Sequence, residues 1–126
     1  MQDFKIERTK KSPEIIFDSS TNFISINGRS VMRNMEDNFF HPVFKVIEEL
    51  TAEKTQNFTL AFNLDYFNTS SHLSIIKLFR SIDNMYSNGI DTTVIWSYYA
   101  DDVEMKEIGE EIQKLCKVKF TYQEIN

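Results

Sequence analysis

Apolar residues recur with two different periods along this chain, and the change of period marks out its elements. "FTLAFNLDYF" (58–67) alternates strictly, with Phe58, Leu60, Phe62, Leu64 and Tyr66 on one face and Thr59, Ala61, Asn63 and Asp65 on the other, which predicts a strand. The following stretch, 70–87, carries Ile75, Phe79, Ile82 and Tyr86 at spacings of three and four, the period of a helix that stops at Asn88-Gly89. Upstream, "PEIIFD" (13–18) and "NFISING" (22–28) read as two short strands joined by Ser19-Ser20-Thr21, with Asn27-Gly28 supplying a turn. Asn34 and Asp37 offer a cap for the first helix, but Pro42 fits better in a first turn beginning near His41, from which Val43, Phe44, Ile47 and Leu50 keep one apolar face. "TTVIWSYY" (92–99) is β-branched and aromatic, as in a strand buried on both faces. Asp101 and Glu104 form a capping-box pattern before the stripe Met105, Ile108, Ile112 and Leu115, and "VKFTYQEI" closes the chain as an alternating strand.

The order is therefore β-β-α-β-α-β-α-β: an α/β domain with a mixed, mostly parallel sheet. Residues 1–12 are polar and read as a loose lead-in, leaving 13–126 as a single domain without repeats or linkers. With 126 residues, 41% hydrophobic and 26% charged, the chain is long enough to bury a core without staples.

Charge and composition narrow the chemistry. A net charge of -5 argues against a general affinity for nucleic acid, and the basic run Arg8-Thr9-Lys10-Lys11 reads as a solvated tail. The single cysteine, Cys116, fits a reducing compartment. The N-terminus "MQDFKIERTKK" has no apolar signal core and no run reaches membrane-spanning length, so a cytoplasmic protein with no membrane partner is expected. His41 and His72 are isolated, and glycines stand only at 28, 89 and 109, so neither a metal site nor a phosphate-binding loop nor another cofactor site is expected. The carboxylates between Asp101 and Glu111 read as a helix N-terminus and its solvent side. Trp96, Tyr98 and Tyr99 read as core and sheet-end packing.

What remains is the polar hinge Asn68-Thr69-Ser70-Ser71 between the best strand and the best helix. One of these residues, Asn68 or Thr69, must cap the helix, which explains one polar side chain but not three hydroxyls in a row. Hydroxyls there lie beside unsatisfied N–H groups and the positive end of the helix dipole, a position where an added phosphate finds donors already aimed at it. A catalytic hydroxyl at Thr69–Ser71 would need a base, and His72 lies about 100° round the helix from Ser71 by helix geometry. A helix cap, a modification site and, more remotely, a small hydrolase all stay open on this reading.

The blocks "SPEIIFD", "INGRS", "LDYFNTSS" and "VIWSYYADDVEM", in this order over residues 12–126, resemble the SiaC family of bacterial regulatory phosphoproteins. The resemblance implies a STAS-like fold and a non-enzymatic, partner-switching protein of signal transduction. On that reading Thr69 is the phosphorylated residue. A Ser/Thr protein kinase modifies it, a metal-dependent phosphatase reverses it, and the unmodified form binds and activates a diguanylate cyclase in cyclic di-GMP and biofilm control. The docking surface is then expected to include Asp65, Tyr66, Asn68, Ser70 and Ser71 around Thr69. After Gly28-Arg29-Ser30 the family usually continues with an aromatic and a Pro-Glu pair, where this chain has Val31-Met32-Arg33. An interaction module of the same fold that is never phosphorylated is the other reading of this resemblance.

Overall fold

The structure, a computed structural model, describes residues 2–32 and 39–126. Among these residues the chain forms β1 (Phe4–Ile6), β2 (Glu14–Asp18), β3 (Phe23–Ser30), α1 (His41–Ala52), β4 (Asn57–Phe67), α2 (Thr69–Ser87), β5 (Asp91–Tyr99), α3 (Val103–Gln113) and β6 (Phe120–Ile125). The strands lie in one sheet in sequence order, β1-β2-β3-β4-β5-β6. The first two pairings are antiparallel and the last three parallel, so each helix is the crossover between neighbouring parallel strands. The expected mixed α/β architecture is the observed one.

All three helices lie on one face of the sheet. Their buried residues, among them Val43, Ile47, Ile75, Phe79, Ile82 and Ile112, form one cluster with the alternate strand residues Ile24, Leu60, Phe62, Val94 and Trp96. Trp96 is fully buried at its centre, stacked on Phe62 at 4.8 Å with its indole N–H donating to the Met105 carbonyl at 3.1 Å. The opposite face carries Ser25, Asn27, Thr59, Ala61 and Asn63, whose small and mostly polar side chains suit a face without a helix layer. The strand β5 is therefore buried chiefly on one side: Thr92, Val94 and Trp96 are covered by the helices while Thr93 is exposed.

Several local expectations need correction. The lead-in is not loose, because Phe4, Lys5 and Ile6 pair with Phe17, Ile16 and Ile15 and lengthen the sheet by a strand. The alternation Phe4-Lys5-Ile6 was present but only three residues long. Asn27-Gly28 is not a turn either; β3 runs through it to Ser30, and Gly28 takes φ +122° within the strand. Asn34 and Asp37 lie outside the described residues, as does Arg33; α1 begins at His41 with Pro42 in its first turn, where a missing N–H costs nothing. Asp102, not Asp101, caps α3, its carboxylate accepting from Met105 N–H at 3.0 Å. That helix ends at Gln113, so Leu115 falls beyond it and is exposed. Tyr86 is likewise exposed, and Met85 takes the buried place on α2.

Candidate functional site

The end of β4 and the start of α2 are shaped by one irregularity in the sheet. Leu64 stands opposite Gly28, but Tyr66, not Asp65, stands opposite Arg29, so β4 carries one residue more than β3 at this point. Asp65 is the extra residue of a β-bulge, a feature that re-aims the side chains following it. The expected inward face Phe58–Leu60–Phe62–Leu64 holds, and then the parity flips. Tyr66 turns out to solvent with half of its surface exposed, while Phe67 packs against the core in its place. Asp65 is also exposed, with Oδ1 4.0 Å from Nε of Arg29. At that distance and exposure the ion pair contributes little to stability.

The polar hinge then divides its labour residue by residue. Asn68 is the cap: its extended backbone precedes the helix, and its Oδ1 accepts from Ser71 N–H at 3.0 Å. Its Nδ2 donates to the Met32 carbonyl at 3.0 Å, and its N–H donates to the Ser30 carbonyl at 3.0 Å. Ser71 is only 4% exposed, and its hydroxyl is bonded to that of Ser30 at 2.7 Å in the interior. Ser71 was expected on a docking surface; the structure buries it instead, as a tie between α2 and β3. A phosphate on Ser71 would have to break this buried pair. Ser70 is half-buried in the first turn, and Thr69, the first residue of α2, is exposed. The Thr69 hydroxyl has no hydrogen-bond partner among the described residues.

Thr69 is therefore the exposed member of the hinge; the half-buried Ser70 hydroxyl also has no hydrogen-bond partner among the described residues. Beside it, the N–H groups of Thr69 and Ser70 have no acceptor within the helix and point out of its N-terminus. One turn further along, Leu73 is 64% exposed. The site therefore combines a free hydroxyl, open backbone donors and two exposed apolar side chains, Tyr66 and Leu73.

Since Asn68 carries the cap, Asn68→Ala is expected to destabilise the protein by about 1–2 kcal/mol, losing the cap bond and the tie to Met32 together. Asn68→Ser keeps a capping oxygen but cannot reach Met32 as a donor, so it is expected to lose less. Thermal melts of the two variants check this. Equal losses would show that the tie to Met32, not the cap, holds the helix start.

Against this geometry, comparison with protein families matches residues 6–125 to the family described as SiaC family regulatory phosphoprotein. The chain belongs to the SiaC family. An uncharacterized protein of Pseudomonas aeruginosa (strain UCBPP-PA14) is 25% identical over 98% of this chain and 97% of its own length. Among solved structures, apo-SiaC from Pseudomonas aeruginosa superposes with a TM-score of 0.87 at 26% identity, over 98% of this chain and 99% of that one. The SiaC chain in the crystal structure of the diguanylate cyclase SiaD in complex with its activator SiaC superposes with a TM-score of 0.90 at 24% identity, over 98% and 100% of the two chains.

SiaC-family proteins are regulatory phosphoproteins rather than enzymes. The His72 ring packs beside Phe67 at 5.9 Å between centroids. Burial, reinforced by the Asp83 carboxylate and offset in part by Arg80, pushes the Cys116 thiol up to about 11, so it is protonated and a poor nucleophile at neutral pH. Among the described residues no helix is long and apolar enough to cross a membrane.

Proposed function

We propose that this SiaC-family regulator is a phosphorylation switch whose modified residue is Thr69. The observation that carries the reading is the contrast within the hinge: Asn68 and Ser71 are fixed by the fold, while Thr69 offers an exposed, unpartnered hydroxyl at a helix N-terminus. A phosphate placed there meets open N–H groups and the positive end of α2, so the modified state is stabilised locally rather than repelled. It also adds about -1.5 to -2 charge between Tyr66 and Leu73, the exposed apolar side chains that flank it. Such a charge must be desolvated if a partner covers that surface, which makes binding depend on the phosphate. The bulge at Asp65 supports the same reading, since it is what turns Tyr66 outward beside Thr69.

The regulated partner is a diguanylate cyclase on this reading, because the solved SiaC relative is an activator bound to one, SiaD. The unmodified protein binds and activates it; a Ser/Thr kinase adds the phosphate and a metal-dependent phosphatase removes it. Asp65, Tyr66, Asn68 and Ser70 border the contact, and the whole switch operates in the cytoplasm, where cyclic di-GMP is made.

The first test is where the phosphate goes. Incubation with the organism's kinase and ATP, followed by peptide mapping by mass spectrometry, is expected to find one phosphate, on Thr69, and none on the Thr69→Ala protein. Phosphate on Ser70 with Thr69 unmodified would move the switch one residue along; phosphate on neither would remove it.

A further inference from the structure

The basic run near the N-terminus is not a solvated tail. Residues 8–12 form a tight turn in which Thr9 Oγ1 accepts from Lys11 N–H at 3.1 Å and Ser12 N–H at 3.0 Å, and Thr9 N–H donates to the Ser12 carbonyl at 3.0 Å. The turn is fastened to the sheet by Val31 N–H, which donates to the Lys11 carbonyl at 2.8 Å. Val31 directly follows Ser30, the residue whose carbonyl and hydroxyl hold Asn68 and Ser71. The basic turn is thus anchored one residue from the support of the Thr69 site.

Its cations are presented in a definite way. The guanidinium of Arg8 lies against Gly28, so close that a Cβ at position 28 would stand 2.7 Å from Nε. Glycine is needed there twice over, for its φ of +122° and for that space. Arg8, Lys10 and Arg29 surround a cavity of about 580 Å³ completed by Thr9, Gly28 and Asp65. Neither Arg8 nor Lys10 has a carboxylate within ion-pair distance among the described residues, and Arg29 has only the 4.0 Å contact with Asp65. Three cations against one carboxylate make a local excess of +2 on a chain whose net charge is -5.

We propose that this Arg8–Lys10–Arg29 face is a docking surface for a carboxylate-bearing segment of the partner protein. The inference rests on the partner-binding reading above and adds the chemistry of the contact. The number of cations decides between occupants. A nucleic-acid site making about six to ten phosphate contacts would need roughly two to three times the cations this face offers, whereas two or three carboxylates match it. Guanidinium groups pair with carboxylates through parallel N–H bonds, and two of the three cations here are arginines. A phosphate on Thr69, set beside the same β3–β4 end, opposes an acidic segment approaching this face, so charge and modification act in one direction.

The test compares the wild-type protein with an Arg8→Gln/Arg29→Gln double variant by calorimetric titration into the organism's diguanylate cyclase between about 50 and 300 mM salt, over which the Debye length falls from roughly 14 to roughly 6 Å. The variant is expected to bind at least about tenfold more weakly at low salt and with a flatter salt dependence, since screened charge pairs are what it lacks. Lys119→Glu, on the exposed loop before β6, changes the net charge by the same amount as the double variant and is expected to bind as wild type. Fluorescein-labelled hexaglutamate serves as a second probe, expected to bind the wild-type protein and not the double variant. Unchanged cyclase affinity and salt dependence, with the melt also unchanged, would overturn the proposal. So would hexaglutamate binding equally to both proteins, or binding of a labelled DNA duplex that the double variant abolishes. If the cyclase does not bind the wild-type protein at all, the partner reading fails and hexaglutamate alone decides the face. If the double variant loses affinity but Thr69 phosphorylation does not weaken binding, the docking face stands and the switch falls.

Discussion

Phosphorylation of Thr69 is expected to weaken binding of the regulated partner by about a hundredfold or more, equivalent to about 2.7 kcal/mol. The size follows from burying a dianionic group under a partner that must also cover Tyr66 and Leu73. Thr69→Glu is expected to reproduce only part of this loss, because a carboxylate lacks the second charge and the third oxygen. Thr69→Ala and Thr69→Asn are expected to bind as the unmodified protein does and to ignore the kinase. Because Asn68 carries the cap, Thr69→Ala should also keep its stability within about 0.5 kcal/mol of wild type, as surface substitutions usually do. A loss of about 1 kcal/mol, the usual cost of deleting a cap, would mean that the Thr69 hydroxyl holds the helix after all.

The largest stability effect is expected at Trp96. Trp96→Ala removes a fully buried indole that contacts Phe62, Phe79 and Phe120, and it should cost about 3–5 kcal/mol, a large part of a domain's total stability. In a chain of this size that is a fall in melting temperature of roughly 10–20 °C. Gly109 is coupled to the same ring: a Cβ added there would stand 2.6 Å from Trp96 Cε2 and Nε1. Alanine in mid-helix normally gains about 1 kcal/mol over glycine, but here Gly109→Ala is expected to lose about 1–3 kcal/mol by forcing α3 off the sheet. In the Trp96→Ala background the sign should reverse, since the ring is gone and the methyl group fills vacated space. A double-mutant cycle by thermal or urea unfolding measures the coupling. Additive losses would show that α3 yields without pressing on Trp96.

What could be read from the chain depended on how local its cause was. The alternation Phe58–Leu64 and the helical spacing of Ile75, Phe79 and Ile82 are local patterns, and both elements stand where they were expected. Tyr66 was misplaced because its direction depends on the register between β3 and β4, which no window on β4 alone contains. The capping role could be narrowed to Asn68 or Thr69 from residue type, but choosing Asn68 requires the Met32 carbonyl, 36 positions away. Ser71 looked like its neighbours Thr69 and Ser70 in sequence; only the fold brings Ser30 against it and takes it out of the surface. The basic turn was misread for a similar reason. Arg8 and Lys10 near a terminus look like tail residues until the Val31–Lys11 bond and the absent side chain of Gly28 fix them to the sheet. Exposure, the property that distinguishes Thr69 within its hinge, is decided by tertiary packing and so was legible only as a strand–helix boundary.

The most direct measurement titrates the partner cyclase into the protein before and after treatment with kinase and ATP, with the Thr69→Ala protein carried through in parallel. The expected result is tight binding by both unmodified proteins, and loss of binding after kinase treatment for the wild type alone. A Thr69→Ala protein that the kinase still releases, or a wild type bound as tightly with phosphate on Thr69 as without it, would contradict the assignment of the switch to this residue.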